Sequence, residues 1–256
     1  MKILPFLATM IPALAAAAPC STVTSPAHMN ALVELYTSEG CDSCPPADRW
    51  LSRFIKAPPA GVVPIAFHVD YWDYIGWKDR FGDAKYAERQ RVQARLRGSS
   101  GIYTPQVVIA GNDIPNWRSD GEFGRTLDAV MKRPARAKIE MRWDRPAGNA
   151  GVVGITAEAG ATERPEQLSL YIATLEGGLT SRVTAGENKG ETLAHDFVVR
   201  DLAVIPFSPT SLALTGISRD ITPRAGWNAE RLSVAAFVQN RATGEVLQAI
   251  SAPVCR

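Results

Sequence analysis

Apolar and polar positions follow two rhythms along this chain, helical ones interleaved with strands in the first half and strand-like ones throughout the second. Ala31 to Thr37 is a run of strand formers broken by a single carboxylate, Glu34, and Gly40 supplies the turn that ends it. Ala47, Trp50, Leu51, Phe54 and Ile55 then recur at i, i+3, i+4, i+7 and i+8, with Asp48, Arg49, Ser52 and Arg53 between them. That spacing predicts a helix, and Pro45 and Pro46 fit its first turn, where no backbone donor is needed. Val62 to Val69 predicts a second strand. Tyr71 to Phe81 is dense in aromatics without a clean period, which reads either as packing over the edge of a core or as a partner-binding rim beside Cys41. Asp83 to Arg97 predicts a helix capped by Asp83 and stopped by Gly98, its arginines Arg89, Arg91, Arg95 and Arg97 reading as a solvated face. Ile102 to Ile109 is a strand with Pro105 near its start, a place where proline marks an edge, a bulge or a cis bond. A last helix, capped by Ser119 or Asp120, runs to about Met131.

After Pro134 the texture changes. Strand-like runs at Lys138–Asp144, Gly151–Glu158, Leu168–Glu176, Thr192–Val204, Ser211–Ile217, Leu232–Gln239 and Glu245–Ser251 are separated by Gly, Pro, Asn and Asp turns, with no helical pattern between them. Alternation places Leu168, Leu170, Ile172 and Thr174 on one face and Ser169, Tyr171, Ala173 and Leu175 on the other. The expected organisation is an α/β domain at 27–134, with a helical insertion at about 70–100, followed by an all-β sandwich-like domain at 135–256.

Composition changes this picture little: 256 residues, 46% hydrophobic and 21% charged, with a net charge of +2, are ordinary globular material that selects no partner. The N-terminus changes it more. Lys2, the apolar run Ile3 to Ala18 and the small residues Ala15-Ala16-Ala17 predict a signal peptide over 1–18, so the mature chain is expected in the periplasm or secreted. Pro19 before Cys20 matches a lipoprotein cleavage box poorly, and no later run of about 18 apolar residues predicts a membrane span. No basic-plus-aromatic array suits nucleic acid, and no phosphate loop, dinucleotide fingerprint or Ser-His-Asp elbow is present, so no cofactor is expected.

Candidate chemistry concentrates in Cys41-Asp42-Ser43-Cys44. A cysteine at a helix N-terminus faces unpaired N–H groups and the positive end of the macrodipole, which lowers its pKa; Cys41 is the expected nucleophile, more exposed and more acidic than its partner. Cys44, expected one turn into the helix, would resolve a mixed disulfide on Cys41. Half a zinc site is the other reading of C-x-x-C, but no second C-x-x-C or H-x(3–5)-H completes it. Export makes all four cysteines relevant: Cys41 with Cys44 leaves Cys20 with Cys255 as a structural disulfide joining the ends of the mature chain. His68 and His195 read as structural histidines or as ligands that join the cysteines at a copper or zinc site.

Three motifs carry a resemblance. Val33 to Asp48 with its cysteine pair, Phe67 to Asp79, and Tyr103-Thr104-Pro105-Gln106 resemble the thioredoxin superfamily, and more closely an exported bacterial thioredoxin-like family catalogued as a domain of unknown function. Gly186 to Gly190 and Thr192 to Arg200 look like the second part of the same family. The resemblance implies a thioredoxin-like fold for 27–134 and a cis Thr104-Pro105 bond packed against the cysteines, with Pro105 presenting a partner's extended backbone. It also implies an acid, Glu34, beneath the resolving cysteine as its proton relay. One departure matters, because Asp42 sets a negative charge beside the nucleophile and opposes the dipole. The expected function is thiol–disulfide exchange with a protein or small-molecule thiol; the alternatives are a binding protein with an inert disulfide, and a periplasmic metal carrier using Cys41, Cys44 and a histidine.

Overall fold

Residues 22–56, 59–144 and 151–255 are described by the structure, a computed structural model. The expected signal peptide and Cys20 lie outside them. The first half holds β1 (Val23–Thr24), β2 (Ala31–Thr37), α1 (Pro45–Lys56), β3 (Val62–His68), α2 (Ala84–Leu96), β4 (Gln106–Ile109), β5 (Asn112–Asp113) and α3 (Asp120–Met131). The second holds β6 (Ala137–Asp144), β7 (Gly151–Ala159), β8 (Leu168–Glu176), β9 (Leu179–Arg182), β10 (Thr192–His195), β11 (Val198–Pro206), β12 (Ala213–Ile221), β13 (Leu232–Asn240) and β14 (Val246–Pro253).

Local chemistry sets the helix ends. Asp83 accepts the Lys85 N–H at 2.9 Å and caps α2, while Gly98, at φ +73°, takes the left-handed conformation that lets Ser99 N–H return to the Ala94 carbonyl. The predicted strand Thr192–Val204 is instead two strands, β10 and β11, because Phe197 breaks it at φ +57°.

Eight strands form one mixed sheet in the order β14-β13-β8-β11-β3-β2-β4-β5. β2 and β3 run parallel from Ala31↔Val62 to Thr37↔His68, and β4 flanks β2 antiparallel. At the seam β11 lies parallel to β3, with Val198 opposite Ala66 and the Ala66 N–H donating to the Phe197 carbonyl at 2.8 Å. A second, antiparallel sheet runs β1-β6-β7-β12, and β9 and β10 form a hairpin of their own.

This corrects the expected fold class of an α/β thioredoxin-like domain followed by an all-β sandwich-like domain. The molecule is β-rich, with three α-helices among the described residues, and strands from both halves share the eight-stranded sheet. The physical reason lies in β3. All seven of its residues are buried, and such a strand needs partners on both edges; β2 takes one and β11, more than a hundred residues later, takes the other. Hydrophobic pattern reports which face of a strand is buried, but not which strand lies beside it.

Two cores follow from the shared sheet. Leu168, Leu170 and Ile172 of β8 and Val234, Ala236 and Val238 of β13 pack with Ile139, Met141 and Ile155 of the four-stranded sheet. On the opposite face Ala173, Leu175 and Phe237 join Leu35, Tyr36 and Phe67 from the first half. The alternation read from β8 is thus the one observed.

Candidate functional site

Between β2 and α1 the chain makes a turn that closes Cys41 and Cys44 into a disulfide, with their Cα atoms 5.4 Å apart. The Cys44 N–H donates to the Cys41 carbonyl at 3.2 Å. Helix α1 begins only at Pro45, so Cys44 stands at its N-cap rather than a turn inside it. Pro45 and Pro46 have no N–H, and the next two donors, Ala47 and Asp48, both go to the Cys44 carbonyl at 2.8 and 3.2 Å. The unpaired N–H groups expected to stabilise a Cys41 thiolate are therefore used up, and the helix offers it only its dipole. The expected difference in exposure is missing too, because Cys41 is 1% exposed and Cys44 0%.

The second half of the chain covers this turn. The β9–β10 hairpin packs on α1, and in its connection Asn188 Nδ2 donates to the carbonyls of Glu39 and Cys41 at 2.9 and 3.0 Å. Beside it Glu187 accepts the Asp42 N–H at 3.2 Å. On the other flank Trp72 sits against Gly40, where a Cβ would come within 2.9 Å of the Trp72 Cβ. The Trp72 indole N–H donates to the Thr104 hydroxyl at 2.7 Å, so one side chain ties the cysteine turn to the Thr104-Pro105 segment, whose peptide bond is cis. The aromatic segment thus serves mainly as packing around the turn, although Tyr74 is 81% exposed.

Glu39 and Asp48, on either side of the cysteine turn in the chain, join Asp79, His68 and His195 in a buried cluster of three carboxylates and two histidines. His68, at the end of β3, holds Asp79 through Nδ1 at 2.7 Å, and Asp79 also accepts the N–H groups of Glu39 and Phe81, each at 2.9 Å. His195, at the end of β10, places Nε2 3.2 Å from Glu39 Oε1 and Nδ1 3.7 Å from Asp48 Oδ2. These are ion-pair distances without hydrogen-bond alignment: both His195 nitrogens, His68 Nε2, Glu39 Oε1 and Asp48 Oδ2 are buried with no hydrogen-bond partner in the protein. The other Glu39 oxygen accepts the Trp77 indole N–H at 2.8 Å. The two imidazoles meet edge to face, with ring centres 4.8 Å apart.

Burial and charge work against each other here. Burial alone would lower the pKa of His68, but the charge and hydrogen bond of Asp79, with Asp48 and Glu39 nearby, raise it above the ordinary histidine value. Burial pushes Asp79 up, and His68 with the two backbone donors brings it below the usual carboxylate range. Glu39 is also held low despite its burial, chiefly through His195. Asp48 is the exception, since burial raises it and the two histidines do not fully compensate.

Glu34 is elsewhere. Thr37 lies against Asp48 of α1, so Glu34, three residues earlier on the same strand, points to the opposite face of the sheet. There Arg89 of α2 donates to Glu34 Oε1 at 2.7 and 3.0 Å and to Gln239 of β13 at 3.0 Å, its guanidinium over the rings of Phe67, Tyr171 and Phe237. The acid expected beneath Cys44 is therefore one half of an ion pair under α2, and Arg89, read from sequence as solvated, is its buried partner. Cys255 packs at the edge of the second core, and no described cysteine is free. His68 and His195 do meet, but among the described residues no group of three or more His, Cys, Asp or Glu side chains is arranged to hold a metal ion.

Glu39, Asp48, Asp79 and Asn188 were not singled out by sequence. Asp48 was counted on the polar side of α1; the available signal was its i+4 spacing from Cys44. Asn188 lay in a run whose chemistry could not be read without knowing that it folds back onto Cys41.

A β-rich protein with a pinned two-cysteine turn near a buried acid–histidine cluster is the class these features define. The chain belongs to the family described as proteins of unknown function, DUF1223, whose match covers residues 32–239. It is similar in fold to the crystal structure of a protein from Agrobacterium tumefaciens, with 24% identity, 88% of this chain and 94% of that chain covered, and a TM-score of 0.61. It is also similar to HBP35 of Porphyromonas gingivalis, with 14% identity, 90% and 76% covered, and a TM-score of 0.66. No functionally curated protein matches it.

Proposed function

We propose that this chain is an exported thiol–disulfide oxidoreductase, periplasmic or secreted, that acts through Cys41 and Cys44 on a protein or small-molecule thiol. The observation that carries the reading is a buried disulfide at the start of α1, flanked along the chain by Glu39 and Asp48, which belong to a buried cluster of titratable side chains. A partner thiolate attacks the Cys41 sulfur, the Cys41–Cys44 bond breaks and its electron pair stays on Cys44. A second partner thiol then displaces Cys41 from the mixed disulfide, leaving the partner oxidised by two electrons and both protein cysteines reduced. Run backwards, Cys41 is the attacking thiol and Cys44 the resolving one, with Thr104 and Pro105 at the edge where a partner backbone lies. In this reading Cys20 and Cys255 form a separate structural bridge.

A second reading is favoured by one observation, the burial of both cysteines in a turn whose backbone Asn188 fastens: an inert disulfide in a binding protein. The reduction potential separates the two. A value between about −120 and −270 mV supports exchange, and one below about −300 mV supports the inert bridge. Mixed disulfides trapped on a Cys44→Ser variant in the native compartment would identify the partner, and their complete absence would count against the oxidoreductase.

A further inference from the structure

We propose that the solvent face of α1 is a docking groove for an acidic, extended peptide segment of a protein partner, held by Arg49, Arg53 and Arg118 through carboxylates at alternate positions. The inference uses no sulfur chemistry and goes beyond either reading of the disulfide.

One helix face and one turn build the groove. Burial of Ala47, Asp48, Trp50 and Leu51 turns Pro46, Arg49, Arg53 and Lys56 of α1 to solvent, at i, i+3, i+7 and i+10. Facing them, the turn between β5 and α3 brings Trp117 and Arg118, so that Pro46, Arg49, Trp50, Arg53, Trp117 and Arg118 line one concave surface. Its floor is firmly packed. The rings of Trp50 and Trp117 lie with centres 5.2 Å apart, and Phe123 of α3 meets Trp50 edge to face at 4.9 Å. The Arg118 guanidinium stands over the Trp117 ring, 4.4 Å from its centre.

Unmatched charge sets this groove apart. Elsewhere Arg91 and Arg95 share Glu88, Arg136 reaches Glu163 and Glu245, and Arg219 and Arg224 share Asp201. Arg49, Arg53, Lys56 and Arg118 make no ion pair with an acid among the described residues. Arg53 and Lys56 stand in the last turn, where the helix dipole favours cations. Arg49 has no such reason: it follows the first turn, at the positive end, and lies four residues before Arg53, a like-charge spacing that weakens a helix. Anionic groups supplied from outside remove both penalties.

Spacing selects the ligand. Arg49 and Arg53 are about 6 Å apart along the helix axis. Side chains two positions apart in an extended chain share one side at about 6.6 Å. An Asp/Glu-x-Asp/Glu segment therefore sets one carboxylate on each guanidinium, whose planar fork takes both oxygens, with Arg118 closing from the other wall. A lipid surface needs apolar side chains that can insert, and single-stranded nucleic acid needs open rings for stacking. Trp50 and Trp117 are 8% and 4% exposed and offer neither.

The test is direct binding to the oxidised mature chain, read by fluorescence anisotropy of a labelled hexapeptide that alternates glutamate with serine. Saturable binding that weakens as salt rises is expected, at least about tenfold tighter than for the same peptide with glutamine in place of glutamate. Arg49→Gln with Arg53→Gln should cost about tenfold in affinity. Arg91→Gln with Arg95→Gln, the same change in net charge on α2, should bind as the wild type does. Arg49→Lys with Arg53→Lys should fall between, since charge is kept and the fork is lost. Equal binding of the two peptides by the wild type overturns the proposal without any variant, and equal losses in the two glutamine pairs overturn it by reducing it to net charge. Tighter binding of phosphatidylglycerol vesicles or of oligothymidylate at the same arginines would give the groove to a lipid surface or a nucleic acid and overturn the peptide. The probe carries no thiol, so the outcome is independent of the reduction potential and of partner trapping.

Discussion

The two faces of strand β2 each bury charge, and they do so in opposite ways. Under α2, Glu34 and Arg89 form one ion pair through Glu34 Oε1, with three rings around the guanidinium and Gln239 taking a further donor, while Glu34 Oε2 finds no hydrogen bond in the protein. Toward α1, Glu39, Asp48, Asp79, His68 and His195 crowd together with five polar atoms that find no hydrogen bond in the protein. The first arrangement joins the two halves of the sheet, since Arg89 reaches from β2 to β13. The second lies near the only sulfur–sulfur bond within the described residues that the fold shields with a loop from its second half. An acid neutralised by one buried cation ties elements of the fold together, whereas several titratable groups crowded near a reactive bond, five of their polar atoms unpaired, are available to chemistry.

The comparison breaks most visibly at Arg89. Arg89→Met leaves the Glu34 carboxylate buried without its cation, and the expected loss is about 3–5 kcal/mol in urea unfolding. Adding Glu34→Leu should recover most of that loss, because an apolar pair of similar volume removes the stranded charge. The reduction potential of Cys41–Cys44 should be the same in the double variant and the wild type. A shifted potential would mean that the two faces are coupled and that Glu34 does act on the cysteines.

The Asp79–His68 pair sharpens the contrast from the other face. Asp79→Asn removes the charge that two backbone N–H groups and His68 share, at an expected cost of about 2–3 kcal/mol. The sign of its pH dependence follows from both partners. The lowered pKa of Asp79 contributes stability that is present above its unfolded value and lost as pH falls through the folded one; the raised pKa of His68 contributes stability present below its unfolded value and lost as pH rises through the folded one. The gap between wild type and Asp79→Asn should therefore be widest between about pH 4 and 6.5 and narrow on either side. Thermal unfolding at a series of pH values checks this, and a gap that keeps widening above neutrality would contradict it.

What the sequence showed of these two regions depended on distance along the chain. The Cys41–Cys44 turn, the start of α1 at the double proline, the Asp83 cap and the alternation of β8 are all set by neighbours a few residues away, and each was legible. Arg89 was not, because an arginine among arginines on a weakly amphipathic helix looks solvated until Glu34 and three rings, supplied by β2, β3, β8 and β13, surround it. The shared sheet was missed for the same reason: β3 and β11 meet only in space. His68 and His195 were visible as residues, but their meeting depends on the β9–β10 hairpin returning to α1, which no local pattern encodes.

The smallest expected effect on stability concerns Asn188, and it bears most directly on how the cysteine site opens. Its side-chain amide spans the carbonyls of Glu39 and Cys41, the residues on either side of Gly40, and so fastens the hairpin connection to the turn that carries the nucleophile. Asn188→Ala removes two donors from buried acceptors and should cost about 1–2 kcal/mol, with no change in the Glu34–Arg89 face. Its kinetic consequence should be larger in proportion. With both sulfurs buried, a thiol reaches Cys41 only when a covering segment moves, and that opening is easier once its fastening is lost. Reduction by dithiothreitol should then be about tenfold faster in Asn188→Ala, the ratio that corresponds to about 1.4 kcal/mol less for opening. The equilibrium potential should move little, since the oxidised and reduced turns both lose the same two bonds. An unchanged reduction rate in a folded, destabilised variant would place the entry route on the Trp72 side, where Gly40 and Thr104 meet, and the comparison would then turn on that flank instead.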